Sequence, residues 1–362
     1  MEEEKKIMKF SVIEKTEPRI PVYTEPNTPA GRPVPWGERN DFPTFINTLY
    51  NESSTLRAII DGSVKFICGN GVSVSDEAAK WKEEINRRGE TLEDLIEGTG
   101  LDLLKFNGFA IQVIYSKLGE VKEMYALDFS RIRVSSDGKK VFYAKKWGPY
   151  SNKYDEYDAF DRSRINLENP TQIFVYKSSA KTCYPMPTYQ GSFKDALSDI
   201  AASEYTLNNL ENGLAARTII TIPDTDGMLT ETEKKDIEKS IQQRFCGPTA
   251  DSKFFLYFRQ IEGSDMKVDS IQVEDESEKF NRIREAARDN LFISFRAMPC
   301  LFGLPNKNNG FTQQEFAECF QLYQKTQVSG WQKKIERAIE KIINAKDAIT
   351  ILPFSIEDEG EE

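Results

Sequence analysis

The spacing of apolar residues divides the chain into a helical start, a strand-rich middle and a second half dominated by long helices. Helical spacing occurs in three early segments, at 41–67, 77–88 and 92–106. Strand patterns follow at 109–115, 121–127, 131–134, 141–144 and 172–176, with Asp137-Gly138 as the turn of a hairpin. Helices followed by a run of strands indicate an α+β domain over about 41–183.

Two long amphipathic helices enclose a small strand–helix–strand unit. The first helix follows Tyr184-Pro-Met-Pro and the second ends at Pro299. Between them we predict a strand at 218–223, a helix opened by the capping box of Thr230 and Glu233, and a return strand at 253–258. Because an insert between two helices stands apart from a common core, the pattern is typical of a stalk that carries a foot.

The segments outside these elements are polar. Residues 1–40 are rich in proline and charge and are predicted to be an extended arm, either a disordered tail or an arm that orders on a neighbouring subunit. After the second long helix come a polar loop at 303–310, a capping box at Thr312 and Glu315, and helical spacing to Ile342. A last strand is predicted from Ile349, before an acidic end.

Composition narrows the possible functions. Of 362 residues, 39% are hydrophobic, and no apolar run approaches the roughly 20 residues that span a bilayer. The start of the chain lacks the basic-then-apolar order of a signal peptide, so we expect a cytosolic protein or a particle assembled in the cytosol. A net charge of −10 argues against tight binding of nucleic acid, but it allows DNA to slide past.

Catalytic chemistry has little support in the sequence. Histidine is absent, which removes the commonest general base and metal ligand. The five cysteines form no CxxC pair and are expected to be reduced, mostly buried residues. Carboxylate pairs such as Asp155-Glu156 are expected among 58 acids, and no nucleotide-binding or metal-ligand motif occurs. We therefore expect no enzyme, no cofactor and no metal.

Several short motifs, in this order and spacing, resemble the portal proteins of tailed bacteriophages and prophages. They are Phe106-Asn-Gly-Phe-Ala-Ile-Gln-Val, Leu118-Gly-Glu-Val with the strand after it, Tyr184-Pro-Met-Pro-Thr, Asn209 to Gly213, Phe245-Cys-Gly-Pro and Ala297-Met-Pro-Cys-Leu-Phe-Gly303. The chain departs from the family pattern where Tyr184-Pro replaces Tyr-Gly and Met298-Pro-Cys replaces Val-Pro-Pro. The likeness covers about residues 41–345.

The resemblance implies an α+β portal fold with an α/β wing, two stem helices, an α/β clip insert and a short C-terminal helical region. The corresponding segments are an arm (1–40), wing (41–187), stem helix 1 (188–215), clip (216–272), stem helix 2 (273–299), tunnel loop and helix (300–325), and C-terminal wing or short crown with the acidic tail (326–362).

The same resemblance implies a structural role in a virion. Portal subunits form a ring of usually about twelve copies at the capsid vertex, where double-stranded DNA is packaged and ejected. The implied partners are further copies of the chain, the terminase motor, head–tail adaptor or neck proteins, the major capsid protein and non-specifically bound DNA, with no membrane. Assembly would take place in the bacterial cytoplasm. The sequence leaves open the ring number, the host, the neck partners and the channel width.

Three groups of residues follow as candidate contacts. Asn306, Lys307, Asn308 and Asn309 are expected to touch DNA in the channel; without the resemblance they would read as an ordinary surface loop. Arg284 and Arg288 share a helix face and are predicted to face the channel or, preferably, to pair with Asp195 or Asp199 of an adjacent subunit. The clip aromatics Phe254, Phe255, Tyr257 and Phe258 are divided between core and inter-subunit contact.

Two other functions remain as alternatives. A capsid or neck adaptor that touches only protein would have a similar composition. A Mg²⁺-dependent nuclease or nucleotidyl transferase would need acids gathered on adjacent strand ends, which the predicted β region does not show.

Overall fold

The computed structural model describes residues 20–21, 23, 26–148, 153–179, 181–211, 217–223, 230, 232, 234–237, 255–259, 267–271, 277–304 and 313–354. They fall into two compact units. The first takes its residues from Met1–Thr48, Ile67–Pro187 and Trp331–Ser355, and the second from Leu49–Phe66, Thr188–Gly330 and Ile356–Glu362.

Helices begin the described chain, a run of six strands follows, and long helices with three further strands make up most of the second half. The helices are α1 Phe42–Glu52, α2 Ser54–Cys68, α3 Lys80–Glu83, α4 Leu92–Phe106, α5 Phe193–Glu211, α6 Ser277–Phe295, α7 Gln313–Tyr323 and α8 Ser329–Ile343. The strands are β1 Val72–Val74, β2 Gly108–Tyr115, β3 Val121–Leu127, β4 Ile132–Val134, β5 Lys140–Tyr143, β6 Asp155–Ala159, β7 Thr171–Lys177, β8 Arg217–Pro223, β9 Phe255–Arg259, β10 Lys267–Ile271 and β11 Ile349–Ile351.

A six-stranded sheet forms the centre of the first unit. Its order is β3-β2-β7-β6-β5-β4, with β6 and β7 parallel and the other neighbours antiparallel. Helix α4 packs on β2 and β3 and begins at a capping box of Thr91 and Asp94. A small antiparallel sheet of β1 and β11 brings the end of the described chain into this unit. The predicted α+β class is confirmed.

The core of the first unit is built around Trp36. Its ring stacks on Tyr184 at 4.4 Å between centroids and also contacts Phe106 and Phe129. The Tyr184 hydroxyl donates to the Val34 carbonyl oxygen, and burial raises its pKa. Residues 34–36 therefore pack inside their own chain. From the sequence, the arm at 1–40 was expected to be either a disordered tail or an arm that orders on a neighbouring subunit, and neither alternative included this packing.

Two of the motifs that carried the family likeness meet in space. Asn107 caps α4 in the left-handed conformation at φ 61°, and its side-chain amide donates to the Met186 carbonyl oxygen at 3.1 Å. A Cβ added to Gly108 would lie 2.8 Å from both the Pro185 ring and the Tyr176 carbonyl oxygen. The Asn-Gly pair is explained by this turn and by the close approach of the Tyr184-Pro segment.

Several elements differ from the sequence-based expectations. The helix expected over Glu77–Arg88 is wrong: only a 3₁₀ turn at Asp76–Ala78 and the single turn α3 form. The chain then becomes extended at Glu84, and the Ile85 backbone hydrogen-bonds to Glu90 and Met124 instead of continuing a helix. Strand β6 was missed, as was the break at Ser53 between α1 and α2.

The second unit contains the two long helices, α5 and α6, which pack along each other. The described part of the insert contains β8, β9 and β10, in the order β10-β8-β9. Strands β8 and β9 are parallel, which requires a crossover such as the predicted helix, while β8 and β10 are antiparallel. Strand β10 was not predicted from the sequence.

Candidate functional site

The pair of α5 and α6, called the helix pair below, is antiparallel and closed by aromatic contacts. Tyr205 stacks on Phe280 with ring centroids 3.8 Å apart, and Tyr189, just before α5, stacks on Phe295 at 4.8 Å. Burial raises the pKa of Tyr189. Small buried residues let the two backbones approach between these ends: Ala196, Ala202 and Ala287.

Asp199 is a buried acid of the helix pair that contacts the start of α2. Its side chain is 0% exposed and accepts hydrogen bonds from Ser53 Oγ at 2.7 Å and from the Thr55 backbone N–H at 3.2 Å. Ser53 Oγ in turn accepts from Leu56 N–H at 3.2 Å, so Ser53 is the N-cap of α2. The carboxylate of Asp199 therefore anchors the positive end of α2 to the helix pair.

Arg284 lies on the solvent side of this carboxylate. Its Nε is 3.6 Å from Asp199 Oδ1, an ion-pair distance that is too long for a strong hydrogen bond. The arginine side chain is 51% exposed, so water screens much of the attraction. Asp199 is thus held mainly by the hydroxyl and backbone donors, with Arg284 as a weaker partner.

A groove of about 510 Å³ runs beside these residues. Its lining is polar at Ser54, Arg284, Glu285 and Arg288 and apolar at Phe292 and Phe302. A groove lined by both charged and apolar side chains suits a protein segment of mixed character.

The motif after α6 shapes one end of this groove. Pro299–Phe302 form a 3₁₀ turn closed by Gly303 at φ 77°, whose N–H donates to the Pro299 carbonyl oxygen. The Phe302 ring contacts Phe292, Phe66 and Tyr323, with centroids 5.6 to 6.1 Å away. A Cβ on Gly62 would lie 2.6 Å from the Phe302 ring, so α2 accepts Phe302 only because residue 62 is glycine.

Among the described residues of the second unit, five large apolar side chains face solvent. Ile293 is 71% exposed and Leu207 56%. The others are Ile283, Phe316 and Leu322. Leu207 and Ile283 lie near the end of the helix pair where Tyr205 stacks on Phe280, and Ile293 lies near the end where Tyr189 stacks on Phe295. They are therefore separate apolar positions on the surface of the helix pair rather than one continuous patch.

The acids and arginines that were predicted to pair between subunits have partners within their own chain. Asp195 accepts a hydrogen bond from the Asn290 side chain at 2.9 Å, and Arg288 pairs with its neighbour Asp289 at 3.0 Å. The expected pairing of Asp199 with an adjacent subunit conflicts with its complete burial, because Ser53, Thr55 and Arg284 of its own chain already contact it. Pairing of Asp195 or Arg288 across subunits stays a prediction.

The other predicted contacts lie partly outside the described residues. Asn306, Lys307, Asn308 and Asn309 are outside, as is Phe254. Phe255, Tyr257 and Phe258 belong to β9, where their backbones pair with Ile219, Thr221 and Ile222 of β8.

Sequence reasoning missed Ser53 and Asn290, the chief partners of the two acids. A serine at the junction of two helical patterns is a signal for an N-cap. Its hydrogen bond to an acid far along the chain, however, has no signal in the sequence.

The part of the chain that the structure describes gives no support for a metal site or for a membrane-spanning helix. The Cys, Asp and Glu side chains there form no group of three that could hold a metal ion. No helix within the described ranges is both long and apolar enough to cross a bilayer.

Comparison with known proteins was made at the level of sequence and of structure. The sequence matches no family model and no curated protein. Solved structures do resemble it. A chain from the virion of a native gene transfer agent (GTA) particle aligns with TM-score 0.58 and 15% identity, covering 90% of this chain and 86% of that one. A chain from the neck of a native GTA particle, computed with C12 symmetry, aligns with TM-score 0.56 and 15% identity over 91% and 87%.

The third likeness is to an HK97 family phage portal protein from Corynebacterium diphtheriae. It has TM-score 0.50 and 13% identity, and it covers 84% of this chain and 92% of that one. The chain has the portal fold. At such identities the portal fold is what the likeness establishes, so the role of each residue in this portal fold rests on its own geometry.

Proposed function

We propose that the protein is a phage portal subunit, which forms a ring at one capsid vertex for the packaging and ejection of double-stranded DNA. The observation that carries the proposal is the portal fold, which extends over 84% of this chain and 92% of a phage portal protein. The likeness to a chain from a particle neck computed with C12 symmetry supports a ring of about twelve copies.

Ring formation has support in the surface of the second unit. The exposed Leu207, Ile283 and Ile293 lie on the helix pair, and the adjacent groove is lined by both charged and apolar side chains. Burying them against an adjacent copy would remove apolar surface from water at roughly 25 cal/mol per Å². We propose that Asp195 and Arg288, which are accessible, add polar contacts across this interface.

We propose that the charge of the subunits helps DNA to pass through the ring. Each subunit carries a net charge of −10, and a ring multiplies it around one axis. Such a wall repels phosphate over about a Debye length, roughly 8 Å at physiological salt, and so keeps the duplex from adhering. We propose that Asn306, Lys307, Asn308 and Asn309 supply the weak contacts that centre it.

The insert is the proposed docking element for the terminase motor and then for head–tail adaptor proteins. Strands β9 and β10 each pair with β8 alone among the described strands, so both present an outer edge. An edge strand can pair with a strand of a neighbouring copy or partner through backbone hydrogen bonds. The major capsid protein is a further proposed partner, and the virion the proposed location.

The test is the assembly state of the purified full chain. Light scattering after size exclusion should give a mass of about twelve subunits, and negative-stain images should show rings with a central hole. Discrete rings without DNA passage in a packaging assay would favour the protein-only adaptor. A monomer at all concentrations would refute the proposal, and Mg²⁺-dependent cleavage of plasmid DNA would favour the nuclease.

A further inference from the structure

Helix α8 carries a row of basic side chains that neither the core nor the proposed function uses. Lys333, Arg337 and Lys341 follow one another at intervals of four residues, so they lie along one face of the helix over about 12 Å. All three are exposed. In the ranges that the structure describes, none of them forms an ion pair with an acid. A chain with a net charge of −10 therefore has a local cationic face here.

The two acids of α8 are held by the backbone of a neighbouring strand. Glu336 Oε1 accepts a hydrogen bond from the Ile351 N–H at 2.8 Å, and Glu340 Oε1 accepts one from the Ala348 N–H at 2.9 Å. Ile351 belongs to β11, and Ala348 directly precedes it. Because each carboxylate already accepts a backbone hydrogen bond, the acids of the helix are held against β11 and do not pair with the basic row.

The C-terminal end of α8 extends the basic face. Carbonyl oxygens at the end of a helix carry partial negative charge, which would repel an anion. Arg162, in the 3₁₀ turn between β6 and β7, donates from its guanidinium to the Ile342 carbonyl oxygen at 3.1 Å and so adds a positive charge at this end. The Nζ of Lys341 lies 5.7 Å from the centroid of the Phe174 ring, a cation–π contact that favours one position of the ammonium group.

An open hollow of about 420 Å³ lies beside the end of the row. Four of its seven lining residues have side chains that can donate hydrogen bonds: Arg337, Lys341, Asn344 and Lys346. The acids in the lining are Glu340, which Ala348 holds, and Asp347, which lies 3.9 Å from Lys346. The hollow is thus rich in the donors that proteins use to contact phosphate.

The basic face suits a polyanion better than it suits a protein partner. None of the large apolar side chains that are exposed in the described part of the chain lies on α8. A protein interface usually has an apolar core, whereas contacts to a nucleic-acid backbone come from Arg, Lys and Asn side chains. A DNA duplex carries one negative charge per about 1.7 Å of its axis, so a row of about 12 Å can meet several phosphates.

We propose that the basic face of α8, formed by Lys333, Arg337 and Lys341, binds the phosphate backbone of double-stranded DNA without regard to sequence. This contact lies on the first unit, goes beyond the proposed portal function and does not require a ring. The net charge of −10 is an average over the chain, so it makes the binding weak and sensitive to salt without preventing it.

The salt dependence can be stated in advance. Each phosphate that a cation neutralises contributes about −0.9 to the slope of log K against log salt concentration, because condensed counterions are released. Three contacts predict a slope of about −2.7. The affinity should therefore fall about 40-fold between 50 and 200 mM salt.

The experiment uses the purified full chain and a fluorescent duplex of about 30 base pairs of random sequence, with anisotropy measured over a range of salt concentrations. Arg337→Gln alone should reduce the slope by about 1. Substitution of glutamine for all three residues of the row should abolish the binding. Because these side chains are exposed, thermal unfolding of each variant should match that of the parent.

A matched variant separates a local site from net charge. Arg39→Gln, Lys82→Gln and Lys117→Gln together remove the same charge from exposed positions that are scattered over the first unit. This variant should keep the slope of the parent. An equal loss in both triple variants would mean that binding follows net charge alone, which would overturn the proposal.

Two other results would also overturn it. One is the absence of duplex binding by the parent at 50 mM salt. The other is displacement of the duplex by poly-glutamate at an equal concentration of charge, because the face would then fit an acidic protein segment as well. Ring assembly is measured on the same samples by light scattering: salt-dependent binding through α8 without rings refutes the portal function alone, and rings whose slope survives the triple substitution refute the α8 contact alone.

Discussion

Replacing Asp199 by alanine tests how the helix pair is held to α2. The buried carboxylate accepts hydrogen bonds from Ser53 Oγ at 2.7 Å and from Thr55 N–H at 3.2 Å. Each charge-assisted hydrogen bond contributes roughly 1.5–3 kcal/mol, and removal of the acceptor leaves two donors unsatisfied. The loss is partly offset because a buried charge no longer needs to be desolvated. We expect Asp199→Ala to lower the free energy of unfolding by about 2–4 kcal/mol.

Arg284→Ala is the matched control. This side chain is 51% exposed and its Nε lies 3.6 Å from Asp199 Oδ1, so the ion pair is worth at most about 1 kcal/mol. Both variants and the parent would be unfolded in urea, with far-UV circular dichroism as the signal, under conditions that keep the chain monomeric. A loss from Arg284→Ala as large as that from Asp199→Ala would refute the reasoning. So would an Asp199→Ala monomer of unchanged stability, because the carboxylate would then act only between subunits.

Three further predictions concern other parts of the chain. Burial raises the pKa of Asp102 from 3.8 to about 7, so the folded state keeps a proton that the unfolded state loses. The free energy of unfolding should therefore fall as the pH rises from about 4 to 7, by at most about 4 kcal/mol. Asp102→Asn should flatten this profile in urea titrations. Gly69→Ala should cost several kcal/mol in thermal unfolding because its Cβ would meet the Leu352 carbonyl oxygen, whereas Gly138→Ala, also at positive φ but in open space, should cost about 1 kcal/mol. Ile293→Asp should leave the monomer's stability within about 0.5 kcal/mol but weaken ring assembly in light scattering, since this side chain is 71% exposed; assembly equal to that of the parent would place the interface elsewhere.

The regular elements could be predicted because their patterns are local. Strand β2 is apolar apart from its glycine and one glutamine, β3 and β7 contain the four-residue apolar runs 124–127 and 173–176, and α4 has a capping box that its sequence displays. The family likeness rested on turns whose backbone demands particular residues, such as Asn107-Gly108 and Gly303. Signals of this kind can be recognised without knowledge of the tertiary structure.

The missed elements depend on distant partners. Strand β6 begins Asp-Glu, a poor strand sequence, and its backbone pairs with β5 and β7, where Lys140 of β5 also bridges Glu156 at 3.0 Å and Asp158 at 2.9 Å. The charged segment after Glu77 has the pattern of an exposed helix, but the chain becomes extended at Glu84, and the Ile85 backbone hydrogen-bonds to Glu90 and Met124 instead of continuing a helix. In both cases the contacts join residues that are distant in sequence, so a short window of sequence does not show them.

The sequence predicted that the two acids and two arginines lie on the long helices, but it did not predict which residues they contact. Asp195, Asp199, Arg284 and Arg288 do lie together on the helix pair and its groove. Periodicity gives the face of a helix but not the depth at which a side chain is buried. Asp199 is fully buried because α2 begins over it, and that contact joins residues 144 to 146 positions apart in sequence.

We propose that copies of this chain form a ring whose channel is bordered by the helix pair. A cryo-electron microscopy reconstruction of the purified assembly, calculated first without imposed symmetry, tests this arrangement. We expect a closed ring of about twelve subunits with α5 and α6 around the channel, Ile293 and Leu207 covered by adjacent copies, and Asp199 bound within its own subunit. An assembly without a channel, or a ring in which the helix pair lies on the outer surface, would contradict it.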